Sequence, residues 1–484
     1  MRRVHWKVTI AVFALVAGIA CGSDGGNTTG PAPQQQLSKV SGDEQGAAPG
    51  GVLPTPFTVS LKTTTGAAVQ GDPIVWRVAL GGGQLSDDTV LTDASGNASV
   101  TLTLGSGVGG NIVYAVWPGH DSLTFHATGT GALTVAGGGN NVTERYTSDL
   151  WVADGYAYSG SWGNRGVQGN AVKVWQLNGS GAPALVDSVL VASTSTVSDL
   201  QVSDDGKWLV TTTEFGSGAG IHAYELVTPG HPTFRAEIKG VSLHTGALAT
   251  IGGKLYAFTA KDPASCALRI YDLSDAANGN ITQASSTPIP DHYCIHDTFV
   301  RDGYAFVFAW DEGLYIFDVG NGSKGGSPTS PQLISHTGSQ ASIKFGGQTH
   351  NGWWYWSPTG DKKYLFIGEE GPGSIGTSSS GDIHVVDVSD FTQPVQVGSF
   401  NLPGAGTHNF WVDESRQILY AAYYNGGVVA LDISGTLEGD LSSRLIANLK
   451  PGGAGNTYVW GVMLYNGSLY ASDMLSGLWQ LSVP

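Results

Sequence analysis

One pattern of sequence recurs seven times from about residue 135 onward, and it restricts the possible folds more than any other feature. Each copy has an aromatic-rich segment, a Gly or acidic turn, and a second apolar segment. The second segments end at Leu177, Leu226, Leu273, Val319, Val388, Ile433 and Val483. Six intervals separate Leu177 from Val483, which gives about 51 residues per copy. A period of this size with several strands per unit is typical of β-propellers.

We therefore predict an all-β chain in which residues 135–484 form a seven-bladed β-propeller of four-stranded blades. The 71 glycines and the 13% of charged residues fit a turn-rich β protein, and 41% hydrophobic residues exclude a disordered one. The chain ends one residue after the third strand of the last copy. We assign the missing outer strand to residues 141–147, directly before the first copy.

Residues 39–130 show a different pattern, with strict alternation of apolar and polar positions. The alternating sets are Phe57, Val59 and Leu61; Ile74, Trp76 and Val78; Val100, Leu102 and Leu104; and Leu123, Phe125 and Ala127. A period of two indicates half-buried antiparallel strands. The segment is predicted to be a β-sandwich with Trp76 in its core.

Two family resemblances follow from particular segments. Leu53–Phe57, Pro73–Trp76 and Thr92–Gly96 occur in the order found in the bacterial Ig-like domains of invasin- and intimin-type surface proteins. That resemblance implies a spacer that holds another domain away from a surface. Ile383–Val388 and Leu314–Val319 resemble the LVIVD repeats of secreted and anchored bacterial propellers. This second resemblance implies a β-propeller fold and a location in the cell envelope, but it implies no reaction.

We expect the Asp that recurs in the apolar–Asp–apolar endings to have a local structural role. An Asp side chain at the end of a strand accepts backbone N–H bonds from the turn that follows. We expect this of Asp318 and Asp387, whereas copies one, two and seven have Gln176, Glu225 and Ser482 instead.

The first twenty residues resemble a lipoprotein signal peptide. Arg2, Arg3 and Lys7 precede a 13-residue apolar run that is too short to span a bilayer, and a small residue stands directly before Cys21. We predict lipidation of Cys21, a flexible tether over residues 21–38, and anchoring in the bacterial cell envelope, in the outer membrane. The alternative is an ordinary signal peptide with an incidental cysteine.

The charge of the exported chain excludes one class of partner. Without residues 1–20, 20 basic residues face 39 acidic ones, a net charge of −19. Such a surface disfavours nucleic acid, so the expected partners are the membrane, through the lipid anchor, and a protein or carbohydrate ligand. The compartment permits a disulfide between Cys266 and Cys294, with two free buried thiols as the alternative.

Polar pairs open the innermost strand of each copy, and four of them begin with His: His244, His296, His350 and His408. All four are expected at one mouth of the propeller channel. Carboxylates from other loops at that mouth include Asp311, Glu369 and Glu370. Imidazole with carboxylate suits a divalent transition metal. Alternatively, these residues hydrogen-bond neighbouring blades and fix the blade angle, because the His spacings are blade spacings rather than those of a metal motif.

No sequence motif assigns a catalytic residue, since the G-x-S-x-G elbow, the P-loop and C-x-x-C are all missing. The leading hypothesis is therefore a non-enzymatic, envelope-anchored binding protein. The opposing hypothesis is a metal-dependent hydrolase that uses the His-rich mouth.

Overall fold

The computed structural model describes residues 34–139, 145–163, 168–179, 181–260, 266–289, 295–337 and 348–484. Over these residues the protein is all-β, as predicted, and its only helical elements are the 3₁₀ turns Ala276–Asn278 and Ser442–Arg444. No helix in this part of the chain has the length and apolar character that a membrane span requires.

The N-terminal unit consists of two main sheets around one core. The first sheet contains Gln35–Ser41, Phe57–Thr63 and Asn97–Val100, in that order. The second contains Gln45–Ala47, Ser122–Gly129, Gly109–Val116, Pro73–Leu80 and Thr89–Leu91. A short pair, Gln84–Leu85 with Leu102–Thr103, lies beside them.

The alternating residues of the N-terminal unit point into this core, as the period of two predicts. Trp76 is 2% exposed, and its ring centroid lies 5.6 Å from that of Phe125. One boundary differs from the prediction. The first strand begins at Gln35, so residues 35–38, assigned to the tether, lie in a sheet instead. They pair with Phe57–Thr63, which a Gln-rich composition does not reveal.

Seven further sheets follow along the chain, and we call them repeat sheets one to seven. The strands of each are given from the innermost outward. Sheet one has Tyr146–Ala153, Tyr156–Trp162, Ala171–Gln176 and Ala184–Leu190. Sheet two has Thr196–Val202, Trp208–Glu214, Gly220–Glu225 and Thr233–Lys239. Sheet three has Gly246–Ile251, Lys254–Thr259, Ala267–Asp272 and Thr282–Pro288. Sheet four has Asp297–Arg301, Tyr304–Phe308, Leu314–Asp318 and Gln332–His336.

The remaining three sheets carry small additions. Sheet five has Thr349–Trp354, Tyr364–Glu369, Ile383–Asp387 and Val395–Phe400, with Gly439–Asp440 added in parallel. A hairpin of Gly371–Pro372 and Ser379–Ser380 projects from it. Sheet six has Phe410–Asp413, Ile418–Ala422, Val428–Asp432 and Leu445–Leu449. Sheet seven has Val459–Tyr465, Ser468–Asp473, Gly477–Ser482 and, outermost, Thr134–Gly138.

The outermost strand of sheet seven corrects the predicted closure. Thr134–Gly138 pairs with Gly477–Ser482, from Thr134 opposite Ser482 to Gly138 opposite Trp479. Of the predicted segment 141–147, residues 141–144 lie outside the described residues, and Tyr146 belongs to the innermost strand of sheet one instead. Closure from the N-terminal side is as expected, but the strand lies about seven residues earlier. Outer strands are largely exposed, so no apolar run marks their position.

Seven apolar clusters join the repeat sheets, one between each pair of neighbours. Tyr158 and Val197 contribute to the cluster between sheets one and two, and the last cluster joins Leu478 of sheet seven to Leu150 of sheet one. The others join sheets two to seven in succession. Since the last sheet packs against the first, the sheets form a closed ring.

The Asp that ends the third strand has the local role expected of it, most clearly in Asp318. Its two carboxylate oxygens accept five backbone N–H bonds of 2.7 to 3.2 Å from residues 320 to 326. Burial by itself would raise the pKa of Asp318, but these bonds lower it to about 2. Asp387, at the equivalent position, accepts one such bond, from Ser389 at 2.9 Å.

A buried polar network docks the N-terminal unit on sheet six. Arg444 donates two hydrogen bonds of 2.9 Å to the carboxylate of Glu44. His126 Nε2 lies 2.9 Å from Asp432 Oδ2. Burial alone would lower the pKa of His126, but the bonds to Asp432 and Glu44 raise it, against a smaller opposing effect of the Arg444 charge.

Candidate functional site

A β-bulge sets the direction of the His350 side chain. Thr349 pairs with Glu369 and Asn351 with Gly368, so His350 is an extra residue between two ladder pairs. Bulges of this kind re-aim a side chain and are frequent beside functional sites. Gly368 makes room for the next residue, because a Cβ there would lie 2.3 Å from Asn351 Oδ1.

Six aromatic side chains form a closed circle at one end of the innermost strands. We call this circle the collar, and it consists of His244, His296, His350, His408, Trp460 and Trp162. Successive ring centroids are 4.5, 4.2, 4.2, 4.3 and 4.7 Å apart, and 6.0 Å separates Trp162 from His244. All four histidines are buried. The four predicted site histidines therefore lie side by side.

Two collar histidines and one carboxylate form a cluster suited to a metal ion. His296 Nε2 lies 3.5 Å and His350 Nε2 3.7 Å from Glu370 Oε2. One ligand atom from each of the three residues lies within 4.8 Å of the other two. The Tyr424 hydroxyl donates a hydrogen bond to the other Glu370 oxygen and orients this carboxylate.

The imidazoles of His296, His350 and His408 are neutral, and those of His350 and His408 lack hydrogen bonds within the described part of the chain. Burial, and then the charge on His244, lower the pKa of His350 to about 3, although the nearby Asn351 side chain opposes this. Burial also holds the pKa of His296 and His408 well below 6.5. Neutral imidazole is the form that binds metals.

The other predicted site residues have different partners. His244 Nδ1 lies 3.0 Å from Glu214 Oε2, and this imidazole–carboxylate pair is separate from the cluster of His296, His350 and Glu370. Glu369 instead contacts His384, with 3.1 Å between its Oε2 and His384 Nε2. Asp311 accepts the backbone N–H of Gln348 at 3.1 Å. The structure thus brings Glu370, but neither Glu369 nor Asp311, to His296 and His350.

The serines at the same strand position hydrogen-bond the neighbouring sheet, which is the structural alternative given above for all residues at this position. Ser148 Oγ donates to the carbonyl of Val197 at 2.5 Å, and Ser198 Oγ to that of Leu243 at 3.3 Å. Each bond reaches the next repeat sheet. The ring nitrogens of His350 and His408 form no such bond within the described residues, so these histidines differ in role from the serines.

A cavity of 480 Å³ lies within the ring of sheets and includes His244, His408 and Trp460 of the collar in its wall. Its far end reaches the exposed residues Asp204 and Asp302. Equivalent positions of the seven innermost strands form two layers along it. The polar layer consists of Asp149, Asp199, Thr245, Asp297, Asn351, Asn409 and Gly461. The aromatic layer, two residues further along each strand, consists of Trp151, Gln201, Ala247, Phe299, Trp353, Trp411 and Met463.

The carboxylates of the polar layer are strongly perturbed. Burial, and then the neighbouring Asp199, raise the pKa of Asp297 to about 8. The same two causes raise the pKa of Asp149 well above 3.8. A glycine at position 461 gives Asp149 its space, because a Cβ there would lie 2.3 Å from Asp149 Oδ1. Mutual repulsion and burial thus favour protons, or a bound cation, on these groups.

The sequence predicted the convergence of the four collar histidines but not the aromatic layer. A usable signal was present, since side chains two residues apart lie on the same side of a strand. An aromatic residue follows two positions after four members of the polar layer. Trp151 follows Asp149, Phe299 follows Asp297, Trp353 follows Asn351, and Trp411 follows Asn409. Cys21 and Cys294 lie outside the described residues, so lipidation and the disulfide with Cys266 stay predictions.

The comparison with protein families agrees with the resemblance of the repeats. The LVIVD repeat family matches residues 144–165, 296–336 and 378–402. The last two ranges contain Leu314–Val319 and Ile383–Val388, the segments that carry the resemblance. No curated protein matches the chain.

Solved structures resemble the chain in fold. The crystal structure of Raptor from Chaetomium thermophilum is 13% identical, with a TM-score of 0.50 over 72% of this chain and 29% of that one. The β-propeller domain of Cps50 (Swd1) from Myceliophteria thermophila is 12% identical, with a TM-score of 0.48 over 71% of this chain and 99% of that one. At such identities a likeness concerns the fold alone. The LVIVD matches and the closed ring of repeat sheets show that the chain is an all-β protein that contains a β-propeller.

Proposed function

We propose that this protein is a cell-envelope lipoprotein that binds a divalent transition metal at the collar of a seven-bladed propeller. In this proposal Cys21 carries the lipid anchor, the N-terminal unit is an Ig-like spacer, and the seven repeat sheets are the blades. The two-sheet core around Trp76 and the seven inter-sheet clusters support the last two statements. Outer-membrane anchoring rests on the signal sequence alone.

The observation that carries the metal proposal is the cluster of His296, His350 and Glu370. Three potential ligand atoms lie within 4.8 Å of one another, and the nitrogens of His350 are buried without a hydrogen-bond partner in the described chain. An orphaned buried polar group costs about 1–3 kcal/mol. A metal ion bound by His350 Nε2 would satisfy one of these two nitrogens and compensate that part of the cost.

The ligand types favour zinc among the divalent metals. Two imidazoles and one carboxylate are borderline ligands of the kind that zinc accepts, whereas calcium and magnesium prefer oxygen alone. We propose binding rather than catalysis as the activity, because the collar side chains pack against one another and bury the ligands. A protein or carbohydrate partner at the outer face belongs to the same proposal.

Metal analysis tests this proposal. The purified mature chain is dialysed against Zn²⁺, and the bound metal is measured by mass spectrometry. We expect about one ion per chain, loss of at least nine-tenths of it in His350→Ala, and the same loss in His350→Gln. His222→Ala is the matched control, since His222 is equally buried but paired with Glu237 outside the collar. Substoichiometric metal in the wild type, or full binding by both His350 variants, would refute the proposal.

A metal-dependent hydrolase is the second candidate, favoured by the number of ligands. Catalytic zinc sites have three protein ligands and leave a position for water, and two His with one Glu is such a set. Ester and phosphoester hydrolysis by the zinc-loaded chain is the test. Turnover that disappears in His350→Ala, with the fold intact by circular dichroism, would establish the enzyme and overturn the non-catalytic assignment.

A further inference from the structure

The wall of the central cavity contains the polar layer and the aromatic layer, and neither layer includes a residue of the metal cluster. Its aromatic layer contains consecutive rings from three neighbouring sheets, with 5.2 Å between the centroids of Phe299 and Trp353 and 5.3 Å between those of Trp353 and Trp411. Trp151 continues the layer, 6.1 Å from Trp411. These side chains are only half-buried, and they line the cavity. The cavity therefore offers aromatic surface to a guest.

The orientation of the rings resembles a box rather than a platform. The planes of Trp151 and Trp411 meet at 77°, and those of Trp353 and Trp411 at 62°. Aromatic rings set at steep angles around a space are the arrangement that recognises ammonium groups, through the negative potential of their faces. A sugar ring instead needs a flat, open aromatic face.

Carboxyl groups lie on both sides of this aromatic layer. Asp149, Asp199 and Asp297 lie in the polar layer, and Asp204 and Asp302 lie at the far end. Strands rise about 3.4 Å per residue, so the five residues from Asp297 to Asp302 span up to about 17 Å. Carboxylates at two depths, with apolar surface between them, match a flexible chain that carries more than one ammonium group.

Almost no cation of the protein occupies the cavity. Arg301 is the only Lys or Arg among the residues that line it. Its guanidinium is engaged by Glu414, with 3.0 Å between Nη2 and Oε2, and stacks on Trp356 at 3.9 Å. Lys362 lies 3.5 Å from Asp302 at the outer end and neutralises part of that carboxylate's charge. Among the residues that line the cavity, no Lys or Arg pairs with the deep carboxylates.

We propose that the central cavity binds a linear aliphatic polyamine. One ammonium group would lie at the carboxylates of the polar layer, the methylene chain would pass the tryptophans, and a further ammonium group would lie toward Asp204. A lone inorganic cation would leave the aromatic layer unused. An uncharged chain would bring no ammonium group to the carboxyl groups of the polar layer, whose mutual repulsion favours a bound cation.

Calorimetric titration of the purified mature chain with spermidine tests the proposal. We expect saturable binding of one molecule, at least tenfold weaker in Asp297→Asn and in Trp411→Leu, and a saturable change in tryptophan fluorescence. Asp205→Asn is the matched control, since Asp205 is an exposed carboxylate paired with Lys207 outside the cavity. Its affinity should stay within twofold of the wild type.

Several results would overturn the proposal. The first is the absence of saturable spermidine binding. The second is an equal loss of affinity in Asp205→Asn, which would indicate general attraction to the acidic surface. The third is an affinity for uncharged 1,8-octanediol or for a monosaccharide that equals the affinity for spermidine. His350→Ala separates this proposal from the metal site, because His350 does not line the cavity. Spermidine binding that survives in this variant while zinc binding is lost would support both sites independently.

Discussion

Asp318 is the side chain whose removal has the most clearly calculable consequence. It is fully buried, and its carboxylate organises the turn after the third strand of sheet four through five backbone N–H bonds. Asp318→Asn keeps the shape, removes the charge, and turns an NH₂ group toward backbone donors such as that of Lys324.

The pKa of Asp318 gives the magnitude. A change from 3.8 to about 2 corresponds to about 2 kcal/mol of stability at neutral pH, at about 1.4 kcal/mol per pKa unit. Leaving one buried donor unsatisfied adds about 1–3 kcal/mol. We therefore expect Asp318→Asn to lower the free energy of unfolding by about 3–5 kcal/mol. Because the folded pKa is depressed, this contribution is present above pH 3.8 and is lost as the pH falls through about 2.

Urea denaturation at pH 7, together with hydrogen exchange of the amides from 320 to 326, measures the effect. Asp387→Asn is the matched control at the equivalent repeat position, with one backbone bond and a surface pair to Lys363 at 3.3 Å. It should cost less than about 1 kcal/mol. Equal costs for the two variants, or unchanged exchange in the 320–326 turn, would refute the reasoning.

Three further predictions concern the docking network and the anchor. Arg444→Ala leaves the Glu44 carboxylate and the Ser434 carbonyl without the guanidinium, so we expect a loss of about 3 kcal/mol, visible as a lower calorimetric midpoint; an unchanged midpoint would contradict it. Since the pKa of His126 is raised, its contribution is complete below pH 6.5 and is lost as the pH rises through the folded pKa, so the wild-type midpoint should fall above neutrality. Cys21→Ser should move the protein from the membrane fraction to the soluble one, and retention in membranes would argue against lipidation.

The repeat endings were sufficient to predict the fold because they are buried strands. Val172–Leu177 and Leu314–Val319, for example, overlap the third strands Ala171–Gln176 and Leu314–Asp318. The closing strand escaped prediction because Thr134–Gly138 is exposed or half-exposed throughout and has only two β-branched residues. Short apolar runs identify inner strands, whereas outer strands depend on pairing with a distant segment.

The candidate site was predictable in its histidines and not in its carboxylates. The four histidines share one position of a repeat, so their convergence follows from the repeat itself. Glu369 and Glu370 are adjacent, and successive side chains of an extended chain point to opposite sides. Sequence offers both, but only the fold shows that Glu370 meets His296 and His350 while Glu369 turns to His384.

The closing strand has a mechanical consequence. Thr134–Gly138 follows the N-terminal unit after only four residues and pairs along its length with Gly477–Ser482. Tension applied from the N-terminal side would therefore load this antiparallel pair in shear, so that its hydrogen bonds resist together rather than one after another. Arg416 Nη2 also donates a hydrogen bond of 2.6 Å to the carbonyl oxygen of Pro484, directly after this strand pair. In a protein held by its N-terminus, the point where the ring closes is also the point where force enters it.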